Sequence, residues 1–401
     1  MAFMHFDESI EIIKNIEINH YKKEKRYLTD TLGYVLGEDI VADHNSPEFP
    51  TSAMDGYAVK HEDLALGRLK ISSINPAGAN LVDEVIGGCC IKTFTGSLIP
   101  VGADTLIPIE NVTVEGDEIV INEEVPFGFS VRAIGENYEK NQSLIREGTK
   151  IDFAEIGVMA SLNVVSPLVY EKPRVAILST GSELLELGET QTSDAQIRSS
   201  NNYILEALVN KYDGQALQLG CILDDKKTIL NAVKSALVQS DIVVTTGGVS
   251  VGDFDFVKDV IVELGCEVLF KGVRVKPGQH IMVAKKDDKF IVALPGFAYS
   301  STVTALLYML PLIAKLQNGK SSLRIVEATL RKGFNKRQKK AEFTACNYTL
   351  EHGNYFVDFQ GKKAGSSAIL TNMLGSTALL ITSEEDEPKT VGDKVQILLI
   401  D

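Results

Sequence analysis

Short apolar runs alternate with helix-like stretches between residues 173 and 317, and this alternation constrains the fold more than any other feature. The clearest run is DIVVTTGG at 241–248, which ends in a glycine turn and is followed by a helix-like stretch at 256–264. Further runs begin at residues 174, 216 and 290, and further helix-like stretches begin near residues 200, 228 and 300. Strands that alternate with helices at this spacing predict a doubly wound, mostly parallel sheet.

The flanks of this segment have a different texture. The chain has 401 residues, more than one hydrophobic core usually supports, and short Val-, Ile- and Thr-rich runs outside 173–319 are typical of small β domains. We expect helices at 6–18 and 22–26, the second a solvated, charged face. The fold class is therefore α/β plus β, multidomain. The expected domains are 1–46 with 138–172 (mixed α/β), 47–137 (β), 173–319 (α/β) and 320–401 (β).

Charge and cysteine usage exclude several functional classes. The net charge of −14 disfavours binding to nucleic acid or to an anionic membrane, because both would repel the chain. The five cysteines form no C-x-x-C pair and the six histidines form no H-x-x-x-H motif, so neither a disulfide framework nor a common zinc site is indicated. The apolar stretch 301–314 is short and contains Pro311, and no secretory pattern begins the chain. We expect a cytoplasmic protein.

Glycine and threonine loops follow the predicted strands of the α/β segment. Ligands of such sheets bind beyond the carboxyl ends of the strands, and a loop such as TTGGVSVG at 245–252 can surround an anion with backbone N–H groups. Taken alone, a double glycine after a strand is more often just a turn. Taken together, the loops predict these substrate-binding residues: Thr180, Gly181, Thr246, Gly247, Gly248, Ser250, Lys276, Pro295 and Gly296.

Three acidic residues fall at the same predicted edge of the sheet. Glu183, Asp224 and Asp255 could together hold Mg²⁺, which prefers carboxylate and phosphate oxygens and can bridge a protein to a phosphate. This reading predicts a metal–phosphate substrate and cleavage of a phosphate bond. The alternative is structural: Glu183 would begin a helix and Asp224 would cap one.

Two loops of the first β domain also contain chemistry-bearing residues. The stretch SAMDGYA at 52–58 includes Asp55 and Gly56, an ordinary hairpin signal, and Thr95 begins a Gly/Thr loop that reaches residue 104. From spacing alone, both loops are more typical of structural turns.

Together these stretches resemble the molybdopterin molybdenumtransferase family, which includes the gephyrin E domain. The matching stretches occur in the family's order: PTSAMDGYA at 50–58, TG at 95–96 with PVGAD at 100–104, STGSEL at 179–184, TTGGVSVG at 245–252, KPG at 276–278 and LPG at 294–296. The resemblance implies an elongated four-domain subunit, with 1–46 and 138–172 as the dimerisation domain and 173–319 as the molybdopterin-binding domain. It implies Mg²⁺-dependent insertion of molybdate into adenylylated molybdopterin, with release of AMP.

The resemblance also assigns roles and partners. The family's catalytic residues fall on Asp55, Thr95, Glu183, Asp224 and Asp255, and the last three would bind Mg²⁺. It implies a homodimer in which the β domain of one subunit faces the α/β and tail domains of its partner. The molybdopterin adenylyltransferase of the preceding step becomes a candidate partner, and the anion is molybdate or tungstate.

Several positions depart from the family's pattern. Asn137 replaces an Asp, Ser182 replaces the Asp of Thr-Gly-Asp-Glu-Leu, Gln279 replaces the second Lys of Lys-Pro-Gly-Lys-Pro, and Phe297-Ala298 replaces Asn-Pro. These changes motivate an alternative: a non-catalytic or altered-specificity molybdopterin-binding paralogue. A second alternative is an enzyme of another step on the same α/β domain, such as an adenylyltransferase, although that reaction would not need the loops at 52–58 and 95–104.

The stretch RKGFNKRQKK at 331–340 concentrates positive charge in an otherwise acidic chain. A solvated edge strand protected by its charges is one interpretation, and attraction of an anionic substrate is the other.

Overall fold

The computed structural model describes residues 3–79, 83–249, 255–321, 323–336, 338–363 and 367–400. Within that part of the chain, two compact units form. The first comprises Met1–Gly37, Gly148–Asp152 and Ser166–Asp401, and the second comprises Glu38–Glu147 and Phe153–Val165.

A mixed sheet forms the centre of the first unit. Its strands lie in the order Gln215–Ile222, Arg174–Thr180, Ile242–Thr246, Lys289–Leu294, Met282–Lys286 and Glu267–Lys271. The pairings as far as Lys289–Leu294 are parallel and those beyond it are antiparallel. A multidomain α/β fold is therefore confirmed, with an antiparallel edge added to the parallel strands, as mixed sheets often have.

Helices cover both faces of this sheet. They are Asn201–Lys211, Lys226–Gln239, Val257–Glu263, and a long helix formed by Ala298–Thr304, a π-helical turn at Ala305–Met309, and Leu310–Leu316. Because strand side chains alternate between faces, Val175 and Ile177 enter one apolar core while Ala176 and Leu178 enter the other.

The long helix Ala298–Leu316 is apolar because most of it is buried in the core. Within the described part of the chain, Ala298–Leu316 is the one helix long and apolar enough to cross a membrane by length and composition. However, 78% of its most apolar 18-residue window is buried inside the protein. Its side chains, including Val303, Leu306 and Tyr308, belong to the core beneath the sheet, as in a helix enclosed by its own fold.

The C-terminal strands close into a ring. Ala341–Glu351, Asn354–Asp358, Arg324–Leu330, Lys394–Leu399 and Thr377–Thr382 pair in that order, and the last pairs again with the first. Closure leaves these strands without a free edge. The short strand Val275–Lys276 pairs with the start of Ala341–Glu351 and so links the ring to the α/β segment.

The N-terminal segment begins with the expected helix, Phe6–Asn15. The helix expected at 22–26 is wrong, because Lys23–Lys25 forms a strand that pairs with Leu168–Tyr170. Its charged side chains alternate between exposed and half-buried positions, and a stretch this short follows the hydrogen bonds its neighbour offers rather than its helix propensity.

The second unit contains its own sheet. The strands lie in the order Thr105–Pro108, Gly56–Val59, Cys89–Thr93, Arg68–Asn75, Glu118–Ile121 and Val112–Glu115. Shorter elements are the strand pairs Ile40–Val41 with Ser143–Ile145 and Thr51–Ser52 with Val131–Arg132, and the helix Phe153–Ser161. Gly56 begins its strand where no side chain fits, since a Cβ there would lie 2.2 Å from the Ile107 carbonyl oxygen.

Candidate active site at the carboxyl edge of the α/β sheet

The parallel register brings the ends of neighbouring strands together. Thr180 lies opposite Ile222, and Thr246 lies opposite both Ser179 and Leu294. Backbone hydrogen bonds continue into the loops, because the N–H of Gly247 donates to the carbonyl oxygen of Leu294 at 3.1 Å. The loops that the sequence predicts to bind substrate therefore begin at one edge, as expected for this class of sheet.

The double glycine packs directly against Thr180. Gly247 and Gly248 have φ values of +87° and +66°, a region that favours glycine. A Cβ on Gly247 would lie 2.7 Å from the Thr180 carbonyl oxygen, and a Cβ on Gly248 would lie 2.7 Å from Val257 Cγ2. Both positions therefore need glycine for conformation and for space, which makes this loop more constrained than an ordinary turn.

A buried hydroxyl faces these glycines. The side-chain oxygen of Thr180 would lie 3.1 Å from a Cβ at either glycine, and within the described residues it has no hydrogen-bond partner. Thr180 is 6% exposed. Because most buried polar atoms have a partner, an unpaired hydroxyl beside an anion-type loop is suited to a ligand.

Two asparagines that sequence reasoning missed organise the same edge. Asn202 accepts a hydrogen bond from the Ser179 hydroxyl at 2.6 Å, and Asn201 donates to the Gly296 carbonyl oxygen at 2.8 Å. The Ser301 hydroxyl donates back to Asn201 at 3.1 Å. The sequence signal that could have identified them is a pair of adjacent asparagines at the start of a helix. Side chains at such a position can reach the ends of the neighbouring strands.

Asp224 is not a helix cap. The cap of Lys226–Gln239 is Asp225, which accepts from the Thr228 backbone N–H at 2.8 Å and from its hydroxyl at 2.7 Å. These two bonds, led by that of the hydroxyl, lower the pKa of Asp225. Asp224 instead accepts from the Ser182 N–H at 3.1 Å. The structural alternative for Asp224 is thus wrong.

Glu183 does not begin a helix either, because the strand Leu184–Leu185 follows it. Its carboxylate folds over Gly181, where both oxygens would lie 2.8 Å from a Cβ. Glu183 is exposed and Asp224 and Asp255 are half-buried. Across the described ranges, no group of three or more His, Cys, Asp or Glu side chains is placed to hold a metal ion, so the three predicted ligands do not form a ready-made metal cluster.

The loop that carries Lys276 packs on the start of the long helix. A Cβ on Gly278 would lie 2.2 Å from Thr304 Cγ2, and Lys276 Nζ lies 3.6 Å from the buried carboxylate of Glu342. The loop at 295–296 lies beside the glycine turn, since a Cβ on Gly296 would lie 3.8 Å from Gly247 Cα. Ser250 lies outside the described residues.

The second unit brings Asp55 and Thr95 together. The Asp55 carboxylate accepts from the Thr95 backbone N–H at 2.8 Å and from its hydroxyl at 2.7 Å. Both hydrogen bonds lower the pKa of Asp55, and the bond from the Thr95 backbone N–H has the larger effect. The Asn137 backbone N–H donates to the Ser46 carbonyl oxygen at 2.8 Å.

The mixed sheet and the loops at its carboxyl edge thus define an α/β protein with a glycine loop suited to anions. The same chain also forms β sheets outside this segment. The family model for the MoeA N-terminal region (domain I and II) matches residues 4–163, and the model for a probable molybdopterin binding domain matches residues 176–315. A Staphylococcus epidermidis molybdopterin molybdenumtransferase is 33% identical, covering 84% of this chain and 80% of that protein. The Haemophilus influenzae molybdopterin molybdenumtransferase is 30% identical, covering 92% of each.

A solved structure agrees with these relatives. The molybdopterin biosynthesis MoeA protein of Pyrococcus horikoshii has a TM-score of 0.84 at 28% identity, covering 99% of this chain and 100% of that one. The chain belongs to the molybdopterin molybdenumtransferase family. The prediction of a transferase of molybdenum cofactor biosynthesis is confirmed at that level.

Proposed function

We propose that this chain inserts molybdate into adenylylated molybdopterin, releases AMP and forms molybdenum cofactor. The observation that carries the proposal is the site formed by Thr180, Gly247 and Gly248, where a buried hydroxyl without a described partner faces two glycines that admit no side chain. Relatives with the transferase name match most of the chain, so a non-catalytic paralogue is not favoured.

The residues of the edge would bind the substrate through its phosphates. The Thr180 hydroxyl can donate to a phosphate oxygen, and Lys276 offers a positive charge on the neighbouring loop. Phosphoryl chemistry depends mainly on positioning and on stabilising charge, so holding the phosphoanhydride still is the main task of these groups. Glu342 is a positioning residue here, because its buried carboxylate lies beside Lys276.

Magnesium fits the donor chemistry of the edge. Carboxylates such as Asp224 and Asp255 supply the oxygen ligands that Mg²⁺ prefers, and Mg²⁺ in phosphate-cleaving enzymes commonly takes one or two carboxylates together with substrate phosphate oxygens. Such a site needs no group of three acids, in keeping with the described residues. When bound, the ion would neutralise charge on the phosphates during cleavage.

The test is AMP release from adenylylated molybdopterin by the purified chain, measured with and without molybdate and Mg²⁺. We expect release that depends on both, together with reconstitution of a cofactor-free molybdoenzyme. Tight binding of the substrate without AMP release would refute the proposal and support a carrier. Tungstate in place of molybdate tests which anion the chain prefers.

We further propose that the chain is a homodimer that receives its substrate from the molybdopterin adenylyltransferase of the preceding step. Family membership supports both. Sedimentation velocity should give twice the chain mass of 43.7 kDa, and a monomer at micromolar concentration would refute the dimer.

A further inference from the structure

Strand pairing places the end of the basic stretch beside the Lys276 loop. Val275 pairs with Ala341 in parallel register, and the Ala341 backbone N–H donates to the Arg274 carbonyl oxygen at 3.0 Å. Lys340 directly precedes this pairing, so it lies near the residues that follow Lys276. The register therefore fixes the backbone position of Lys340 beside this loop.

A short hydrogen-bond chain then holds the Lys340 ammonium. Lys340 Nζ donates to Gln279 Oε1 at 2.5 Å, and Gln279 Nε2 lies 3.0 Å from His280 Nε2. Because the amide nitrogen of Gln279 can only donate, His280 Nε2 must accept, which requires the neutral ring protonated on Nδ1. Burial, and then the positive charge of Lys340, lower the pKa of His280, so the neutral ring is favoured at pH 7.

This chain of groups lies next to the candidate active site. The loop packs on the first turns of the long helix through Gly278 and Thr304, and that helix starts directly after Gly296. Asp255 is close enough to His280 for its charge to oppose, in part, the lowering of the histidine's pKa. Lys340 and Asp255 therefore both lie near His280, which brings Lys340 close to an acid of the predicted site.

Two other cations of the basic stretch have structural partners among the described residues. Arg331 pairs with Glu351, and Lys336 donates to the backbone oxygens of Ser383 and Glu384. Lys340 differs in the place of its partner, because Gln279 belongs to the loop that follows Lys276. The amide of Gln279 is neutral, so this contact leaves the positive charge of Lys340 uncompensated. The stretch connects two strands of the ring and, among its described residues, forms no strand of its own, so the edge-strand interpretation is wrong.

We propose that Lys340 supplies a substrate-binding cation at position 279, where the family's pattern has a Lys and this chain has Gln279, by placing its ammonium on the Gln279 amide from the neighbouring strand. The inference rests on the proposed function and names a further residue for the same anionic substrate. Gln279 and His280 are positioning residues in this arrangement, since they orient the ammonium rather than carry charge.

The experiment is a charge exchange between positions 279 and 340 in the full chain. Lys340→Gln should raise KM for adenylylated molybdopterin about tenfold with a smaller change in kcat, because a charge-assisted contact is lost. Gln279→Lys with Lys340→Gln returns one ammonium to the same place and should bring KM back to within about threefold of the parent value. The matched control is Lys339→Gln, an exposed neighbour that should leave KM unchanged.

Isothermal titration with AMP and with inorganic phosphate on each variant measures anion binding without turnover, and thermal unfolding confirms that each variant is folded. An unchanged KM for Lys340→Gln, a KM for Lys339→Gln raised as much, or a double variant as weak as Lys340→Gln would each overturn the inference. A parent chain that binds these anions but releases no AMP would instead refute the proposed function, and Lys340 would then be judged by titration alone.

Discussion

Two neighbouring aspartates should respond to substitution in opposite ways. Asp225 caps a helix through the N–H and hydroxyl of Thr228, whereas Asp224 accepts a bond from the Ser182 N–H through one of its two carboxylate oxygens. We expect Asp225→Ala to lower stability without changing turnover. We expect Asp224→Asn to lower turnover without changing stability.

The magnitudes follow from the contacts. Loss of an aspartate cap, with both bonds of Asp225, should lower the Tm by roughly 2–4 °C for a unit of this size. In Asp224→Asn the amide oxygen still accepts from Ser182, so the Tm should stay within about 1 °C of the parent. The lost charge should reduce kcat at least about tenfold and raise the Mg²⁺ concentration needed for half-maximal rate.

The assay combines differential scanning calorimetry with AMP release across a Mg²⁺ titration, on both variants and the parent. If Asp224→Asn lowered only the Tm, or if Asp225→Ala changed the Mg²⁺ dependence as much, the assignment of Asp224 to the phosphate site would be refuted. Because the substituted residues are adjacent, non-specific disturbance of the loop would affect both variants alike.

Three further substitutions test other parts of the account. Gly56→Ala places a Cβ 2.2 Å from a backbone oxygen and should destabilise the second unit by about 1–3 kcal/mol in denaturant unfolding, while Gly87→Ala, with open space around it, should not. Thr95→Val removes the hydroxyl bond that helps to lower the pKa of Asp55, so that pKa should rise by NMR titration. The parent keeps Asp55 charged to lower pH, and the variant should lose activity at a higher pH on acidification. Phe297→Asn should stabilise the long helix by about 0.5–1 kcal/mol in thermal unfolding, because Phe297 occupies the N-cap without a side-chain bond; an unchanged or lower stability would contradict this.

The α/β segment could be read from the sequence because its local signals agree. The buried runs that begin at residues 241 and 290 end in a glycine turn and are followed by helical spacing, so the strands at 242–246 and 289–294 fall where the pattern places them. Parallel strands share one carboxyl edge, which is why the loops at Thr180 and Gly247 could be brought together without coordinates.

What the sequence could not supply depends on long-range pairing. The stretch at 23–25 reads as a helix but becomes a strand because residues 168–170 pair with it. Asp224 and Asp225 are both residues of a type that commonly caps helices. Only the residue at which the helix begins, Lys226, makes Asp225 the cap. The contact between Lys340 and Gln279 spans 61 positions, and no local pattern connects the two residues.

The central claim is that this edge cleaves adenylylated molybdopterin as molybdate is inserted. The most direct measurement is single-turnover AMP release by the parent chain and by Thr180→Val, which removes the unpaired hydroxyl and nearly preserves volume. We predict molybdate-dependent AMP release by the parent, and release at least about tenfold slower by a folded Thr180→Val chain. Equal rates in the two chains, or AMP release by neither, would contradict the account.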